Sequence, residues 1–549
     1  MKRHIPIVTS LMAFSLISCD DVMDLTQPEK VEVTYSNISL SLYETGKYDL
    51  YLDEQGYAYD ILVEKSHCEK EAKAKLAVVD AKEFGEEFDL LPAEYYDMEG
   101  GDFEFKGDNV LHTVHLSFND FTGLDGSKKY VLGLKLASSD LAVNEEKSAV
   151  TFYVQQKQGG ESNPYIITAA KDLAKLGDYL KDGQTTYVRL DADIDLQGTD
   201  WTPVEATAAK PVDFDGCGHT ISNLKVTSSS TNYQGFFGIL TGRCANVTFA
   251  NAQVTADTKL TGIVAGLVGG ASGTGVVENV RVSGTINLTS GTPAWDNGQA
   301  GGICGRLRGA NSRIYQCGSA TTITATWSAG GICGEVCEGA SVEQCHHTGD
   351  ITTQSCVGGI ASRLLGATIS QCYSHGKMIA LPYVTANPGG GIAGWVQPIY
   401  ETVTTSTISY CWSDCEVRAQ NQVGGIMGNA NNTTGSGITV HHCVAWNAYL
   451  HSGAAPKSGK VCGRYSQNKA HSCYANPDMT CYFTANTPAD ALLDQESVNM
   501  TTPITTLMYG YNGLTTISNL MDAVKALNWD ASVWDLDGEQ PRLKWELDE

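Results

Sequence analysis

Two patterns of apolar and polar positions divide this chain. From Val31 to about Lys157 they alternate in short runs: "VEVTYSNISLSL", "YAYDILVEK", "HTVHLSF", "YVLGLKLAS" and "AVTFYVQQ". A period of two, broken by turn residues, predicts a β-sandwich over 31–157. Residues 158–164 close "QKQGGESNP", a linker by composition. In "TAAKDLAKLGDYLKDG" the period lengthens: Leu173, Leu176 and Leu180 share one helix face, and Thr168 can cap it. "YVRLDADIDL" returns to alternation and sets Asp191, Asp193 and Asp195 on one strand face.

A repeat then takes over. A box of two apolar residues bounded by Gly begins at Gly235, Gly266, Gly302, Gly331, Gly359, Gly391 and Gly425, with a variant at Lys460. The steps are 31, 36, 29, 28, 32, 34 and 35 residues. A second box follows most of these, as in "VENVRVSGTI", "VEQCHHTGDI" and "ISYCWSDCEV". Paired boxes at this period predict a solenoid. The boxes are short, β-prone and bounded by Gly, Asn, Ser and Thr, so the solenoid is a right-handed parallel β-helix over 165–480. Gly pairs serve corners where a Cβ would clash. Beyond Cys481 the repeat lapses. "TISNLMDAVKALN" reads as a helix, and Trp534 and Trp545 are expected to plug an open end within a C-terminal cap, 481–549. The fold class is all-β with short capping helices.

The first residues read as an address. Met1-Lys2-Arg3 is basic, and Ile5–Ile17 is apolar but too short to span a bilayer. Leu16-Ile17-Ser18-Cys19 resembles a bacterial lipobox. The resemblance implies a signal peptide over 1–18, a lipid on Cys19 and a polar tether over 19–30. The membrane is then reached through the lipid anchor alone, and several acyl chains suffice to hold it. Net charge is −25, from 37 basic and 62 acidic residues. Such a surface repels phosphate backbones, which excludes nucleic acid as a partner. A monomer is expected.

"LLPAEYY" (Leu90–Tyr96) and "KKYVLGLKLASSD" (Lys128–Asp140) resemble an immunoglobulin-like domain of unknown function that opens many surface lipoproteins of gut Bacteroidetes. One departure is Gly133, where the resemblance implies Pro. The Gly-bounded boxes resemble the GLUG repeat. "DIDLQGTDWTPV", "FDGCGHTISNL" and "QPRLKW" are similar to the flanks of such proteins. The resemblance implies an adhesin-like lipoprotein of the outer membrane, exposed at the cell surface.

The stretch "AGGICGEVCEGASVEQCHHTGDI" suggests zinc when read alone. The repeat argues otherwise. Cys317, Cys345, Cys372, Cys411, Cys443 and Cys473 share one position with Val280, and Cys304, Cys333 and Cys462 share another with Val268, Ala361, Ala393 and Met427. A position that accepts Val or Ala as readily as Cys calls for a small apolar body. A buried ladder with few disulfides follows. His346 then points outward and His347 inward; only Cys337 has no place in the repeat.

If that position points in, residues one and three later point out. Tyr373, His375, Trp412, Asp414, Trp446 and Tyr474 are thus expected as an exposed ridge, with His346 at one end. Aromatic rings beside polar groups are what sugar rings stack upon. This predicts a polysaccharide or host glycan bound without catalysis. A lyase or glycosidase would draw on Glu335, Glu338, Glu343, Asp350, Arg363 or Asp414, none set in a repeated catalytic motif. A protein-binding adhesin or spacer is the third reading. No cofactor is expected, although Asp191, Asp193 and Asp195 are weak calcium candidates, as are Asp213 and Asp215.

Overall fold

The computed structural model describes residues 38–547 apart from 42–45, 53–54, 67–70, 108, 127, 157, 228–231, 258–259, 290–297, 382–386, 399–404, 431–436, 454–457, 465–468 and 484–510. The leader, Cys19 and the tether lie outside the described residues. The chain divides into two compact units, Met1–Asn163 and Pro164–Glu549. No helix among the described residues is long and apolar enough to cross a membrane.

The first unit is two sheets around one core. Ile38–Ser41, Ala58–Lys65, Leu111–Phe118 and Tyr96–Glu99 form one. Lys47–Tyr51, Ala149–Gln155, Lys129–Ser138, Ala72–Val79 and Asp102–Phe105 form the other, with Phe88–Leu90 paired beside Lys129–Ser138. The alternation decides which residues meet inside: Val63, Val114 and Leu116 face Leu132, Leu134, Phe152 and Val154. Gly133 has its own reason. It pairs on both sides, with Thr151 and Val79, so a proline there would lose a ladder hydrogen bond. Its missing Cβ would lie 2.3 Å from the Phe84 ring.

The second unit is a stack of parallel coils. One coil runs Ser328–Gly330, Cys333–Cys337, Ser341–Glu343, His346–His347 and Ile351–Thr353. The next pairs with it strand for strand: Cys333 with Ala361, Val342 with Ile369, His346 with Tyr373, and Ile351 with Met378. Most apolar inward residues therefore sit on another, and one continuous core runs from Ile167 to Cys481.

The cysteine ladder is internal, as its exchange with valine implied. Cys317, Cys345, Cys372, Cys411, Cys443 and Cys473 are fully buried, and none of the described cysteines forms a disulfide. Each thiol donates to the carbonyl two residues earlier, at 3.1 Å for Cys372 to Ser370. Burial pushes the thiols of Cys317, Cys372 and Cys443 well above their ordinary pKa, so they act as small apolar bodies. The residue before each core position turns the corner with a left-handed φ of 50 to 54°: Asn279, Gln316, Gln344, Gln371, Tyr410, His442 and Ser472. Side-chain amides offset that strain by linking coils, Gln316 to Gln344 at 3.0 Å and Gln344 to Gln371 at 3.1 Å. The Gly pairs answer close approach: a Cβ at Gly331 would lie 2.1 Å from the His347 ring.

His347 points inward, 3.1 Å from the Ser319 hydroxyl, and burial pushes its pKa down to about 3. Its unfolded value is near 6.5, so the folded value is the lower one. Below pH 6.5 the unfolded chain takes up a proton that the folded chain refuses. Stability is thus expected to fall as pH drops from 6.5 toward 3, by at most about 1.4 kcal/mol per pH unit for this group. Ser374 and Ser413 occupy the same position on the next two coils. His347→Ser is therefore expected to flatten that part of the stability profile, measured by denaturant unfolding from pH 7 to pH 4. An unchanged slope would refute the assignment.

The repeat frame differs from expectation in one coil. Phe237 pairs with Ala265, and Ala265 with Cys304. The box there spans 263–266, three residues before the Gly266–Gly269 box, and Val268 pairs with Leu307. Small Ala265 has to share the crowded position of Cys304, whereas the Gly spacing alone fits either frame.

The ends also differ. α1 (Ala170–Leu173) and α2 (Leu176–Tyr179) are short turns whose Leu173 and Leu176, with Leu180, enter the core. The residue before α1 is Ala169, with no side-chain cap, so burial holds these turns and Thr168 does not. At the far end, Tyr511 bridges Cys462 and Leu514 bridges Tyr474, extending the last coil. Trp534 and Trp545 do not plug that end. With α3 (Leu520–Ala526) they belong to a strap, residues 517–547, laid along the side of the coils.

Candidate functional site

The expected ridge is present in register. Arg281, Gly318, His346, Tyr373, Trp412, Val444 and Tyr474 pair in that order, each one residue past a core position. His346 stacks on Tyr373 at 5.0 Å and Tyr373 on Trp412 at 5.4 Å.

The ridge is not exposed. Trp412 is 0% and Tyr373 5% accessible, beneath Leu520, Met521, Val524, Trp529, Trp534 and Leu543 of the strap. A row of large rings is apolar surface that water opposes, and the strap carries the matching apolar face. Polar contacts pin it. Tyr373 donates its hydroxyl to Glu546 at 2.7 Å, and His346 Nδ1 lies 3.2 Å from the same carboxylate. Trp545 stacks on His346 and donates to the Gln344 carbonyl at 2.9 Å; Trp529 donates to the His442 carbonyl at 3.0 Å. His375 and Asp414 bond each other at 2.6 Å, half-buried beside Tyr373 and Trp412. Trp446 and Tyr474 are half-buried against the same cluster. The predicted open aromatic platform is an internal interface.

The acidic candidates do not assemble either. Glu335 is 1% exposed, held by Arg306 at 2.6 Å and Arg363 at 2.7 Å, with Gln299 donating at 3.0 Å. Glu338 pairs with Arg308 at 2.6 Å, and Asp350 accepts the Lys377 backbone N–H at 2.9 Å. Glu343 lies half-buried on another strand. The cysteine and histidine stretch also separates: Cys333, Cys345 and His347 point in, His346 points out, and Cys337 packs with Cys356, Leu365 and Trp395. Among the described residues no three His, Cys, Asp or Glu are grouped to hold a metal.

That includes the aspartates. Asp193 accepts the Thr220 backbone N–H at 2.8 Å and lies 3.2 Å from His219. Asp195 accepts Asn223 Nδ2 and the Gln197 backbone N–H, each at 2.8 Å. These bonds hold both carboxyls below the usual carboxylate range. Asp213 and Asp215 share Arg243 at 3.1 and 3.3 Å, so a guanidinium neutralises them.

The sequence reading missed a polar cleft of about 270 Å³. It is lined by Asp195, Gln197, Asn223, Lys225, Asn251 and Gln253, with Gly198 and Leu224. The residues come from three successive coils. Gln197, Asn223 and Asn251 turn the corner with φ of 54, 57 and 53°. Each is followed two residues on by an outward position or preceded by one, and Lys225 pairs in register with Gln253. Asn251 Nδ2 donates to Asn223 Oδ1 at 2.6 Å, continuing the bond from Asn223 to Asp195. The signal was legible as polar-x-polar at Asp195/Gln197, Asn223/Lys225 and Asn251/Gln253.

Known proteins resemble parts of this chain. A family model described as a "-like, N-terminal domain" matches residues 27–143. Halomucin of Haloquadratum walsbyi is 30% identical over 200 residues, 32% of this chain, and the chain spans only 2% of halomucin's length. A Bacteroides ovatus structure described as a candidate immunoglobulin A1 protease is 22% identical with a TM-score of 0.39, over 70% of this chain and 94% of that one. EndoBT-3987 of Bacteroides thetaiotaomicron, solved with a Man5GlcNAc product, is 16% identical with a TM-score of 0.19, over 27% of this chain and 40% of that one. The residues that the family model matches fall within the first unit, Met1–Asn163.

Proposed function

We propose that this protein is an exported lipoprotein of the outer membrane that binds a polysaccharide or host glycan on its β-helix without cleaving it. The observation that carries this reading is the repetition of outer-face chemistry from coil to coil, as in the row Asp195, Asn223 and Asn251. Rows spaced about 4.8 Å apart suit a polymer with its own repeat better than one small substrate. The state of the carboxylates supports the absence of catalysis. Glu335 and Glu338 are neutralised by arginines, where a glycosidase needs two carboxyls facing one bond. The lipobox at Cys19 and the family domain over 27–143 support export and surface placement.

Native gels cast with polysaccharide test the binding. The whole chain is expected to be retarded by at least one polymer, which is recovered at its starting length. A shortened polymer would replace this reading with a lyase or hydrolase. For the anchor, Cys19→Ser is expected to move the chain from the membrane to the soluble fraction, and unaltered fractionation would sink it.

A further inference from the structure

We infer that the cleft between Asp195 and Gln253 is a binding site for a neutral pyranose sugar, reading hydroxyl pairs by hydrogen bonds along the coil axis. This rests on the glycan-binding reading above and names its site. With the aromatic ladder sealed by residues 517–547, a ligand on these coils has to be taken elsewhere. The cleft holds about 270 Å³, just below the roughly 300 Å³ of the smaller small-molecule sites, which suits one sugar unit of a longer chain.

Its chemistry points to hydroxyls. Planar amides offer a donor and an acceptor side by side, the arrangement that two neighbouring sugar hydroxyls match. The amides of Asn223 and Asn251 are fixed in a bonded row that starts at Asp195 Oδ1. Within that row Asn251 gives its Nδ2 to Asn223, and its carbonyl oxygen is the acceptor at the row's end. Lys225 Nζ, 3.2 Å from Asp200, keeps further protons to donate. Gln253 adjoins Lys225 in register, so acceptors and donors sit on consecutive coils.

The charge selects the class. One carboxylate and one ammonium line the cleft, and that ammonium already has a carboxylate partner. No cation is spare for a sulfate or uronate, and the chain's net charge of −25 opposes any anionic polymer. No aromatic side chain lines the cleft, so hydrogen bonds carry the contact. Affinity per site is then modest, and a polymer gains by spanning several coils.

The test is calorimetric titration of the whole chain with neutral oligosaccharides, repeated with Gln253→Ala and Lys225→Met. Neither position has a left-handed φ, and thermal midpoints are to be measured alongside to check that both variants fold. The native chain is expected to bind a neutral oligosaccharide, and each variant to lose at least ten-fold in affinity. Undiminished binding by both variants would overturn the cleft and leave the glycan reading standing. Binding to sulfated or uronic acid glycans alone would overturn the neutral-sugar assignment. No binding by the native chain to any glycan would remove both.

Discussion

Trp412→Ala is expected to free residues 517–547 from the side of the β-helix while the coils themselves stay folded. Trp412 is the largest fully buried side chain beneath the strap, stacked on Tyr373 and packed into the cluster of α3 and Trp534. Deleting a buried tryptophan removes its transfer free energy and leaves a cavity, together about 3–5 kcal/mol. The coils have their own core, to which Trp412 does not belong, so the loss falls on the strap. Limited proteolysis with mass spectrometry reads this as new cleavage within 517–547 and a stable remnant ending before it. Trp412→Phe is the informative control. The buried indole N–H has no hydrogen-bond partner, so phenylalanine keeps a ring and removes an unpaired donor. It is expected to stay resistant. If the alanine variant were equally resistant, the strap would not depend on the aromatic ladder.

Glu335→Ala is expected to cost as much by a different route. Glu335 lies between Arg306 and Arg363, which pair with it in register on the coils before and after. Removing the shared carboxylate leaves two largely buried guanidinium groups on neighbouring coils. Breaking a buried ion pair this way costs about 3–5 kcal/mol. Replacing Arg306, Glu335 and Arg363 together by leucine removes charge and partner alike and is expected to recover most of that loss. Urea unfolding of the single and triple variants compares them. A triple variant as weak as the single one would show that packing, not charge, sets the cost.

Much of the fold was legible in the chain because one residue position repeats under changing chemistry. Val280 standing where Cys317 and Cys345 stand shows a buried apolar site before any coordinates exist. The same spacing placed His346 outside and His347 inside. The covering of the ridge was not legible. Residues 517–547 follow the end of the repeat, so no period phases them against Tyr373 and Trp412, and the match between the two apolar faces exists only in three dimensions. Glu546 meets Tyr373 across 173 positions of chain. The box at Gly266 was misplaced because glycine spacing fits two frames, and the choice depends on which small residue must sit against Cys304. The cleft escaped notice because its amides precede the first box at Gly235 or fall between boxes, where Asn and Gln read as ordinary turn residues.

The central claim is that this β-helix holds glycans and leaves them intact, and a glycan array probed with the whole chain tests it most directly. The account predicts signal on a related set of neutral glycans, kept by the Trp412→Phe chain with its strap in place. An empty array from a chain shown to be folded by circular dichroism, or signal confined to non-glycan ligands, would contradict it.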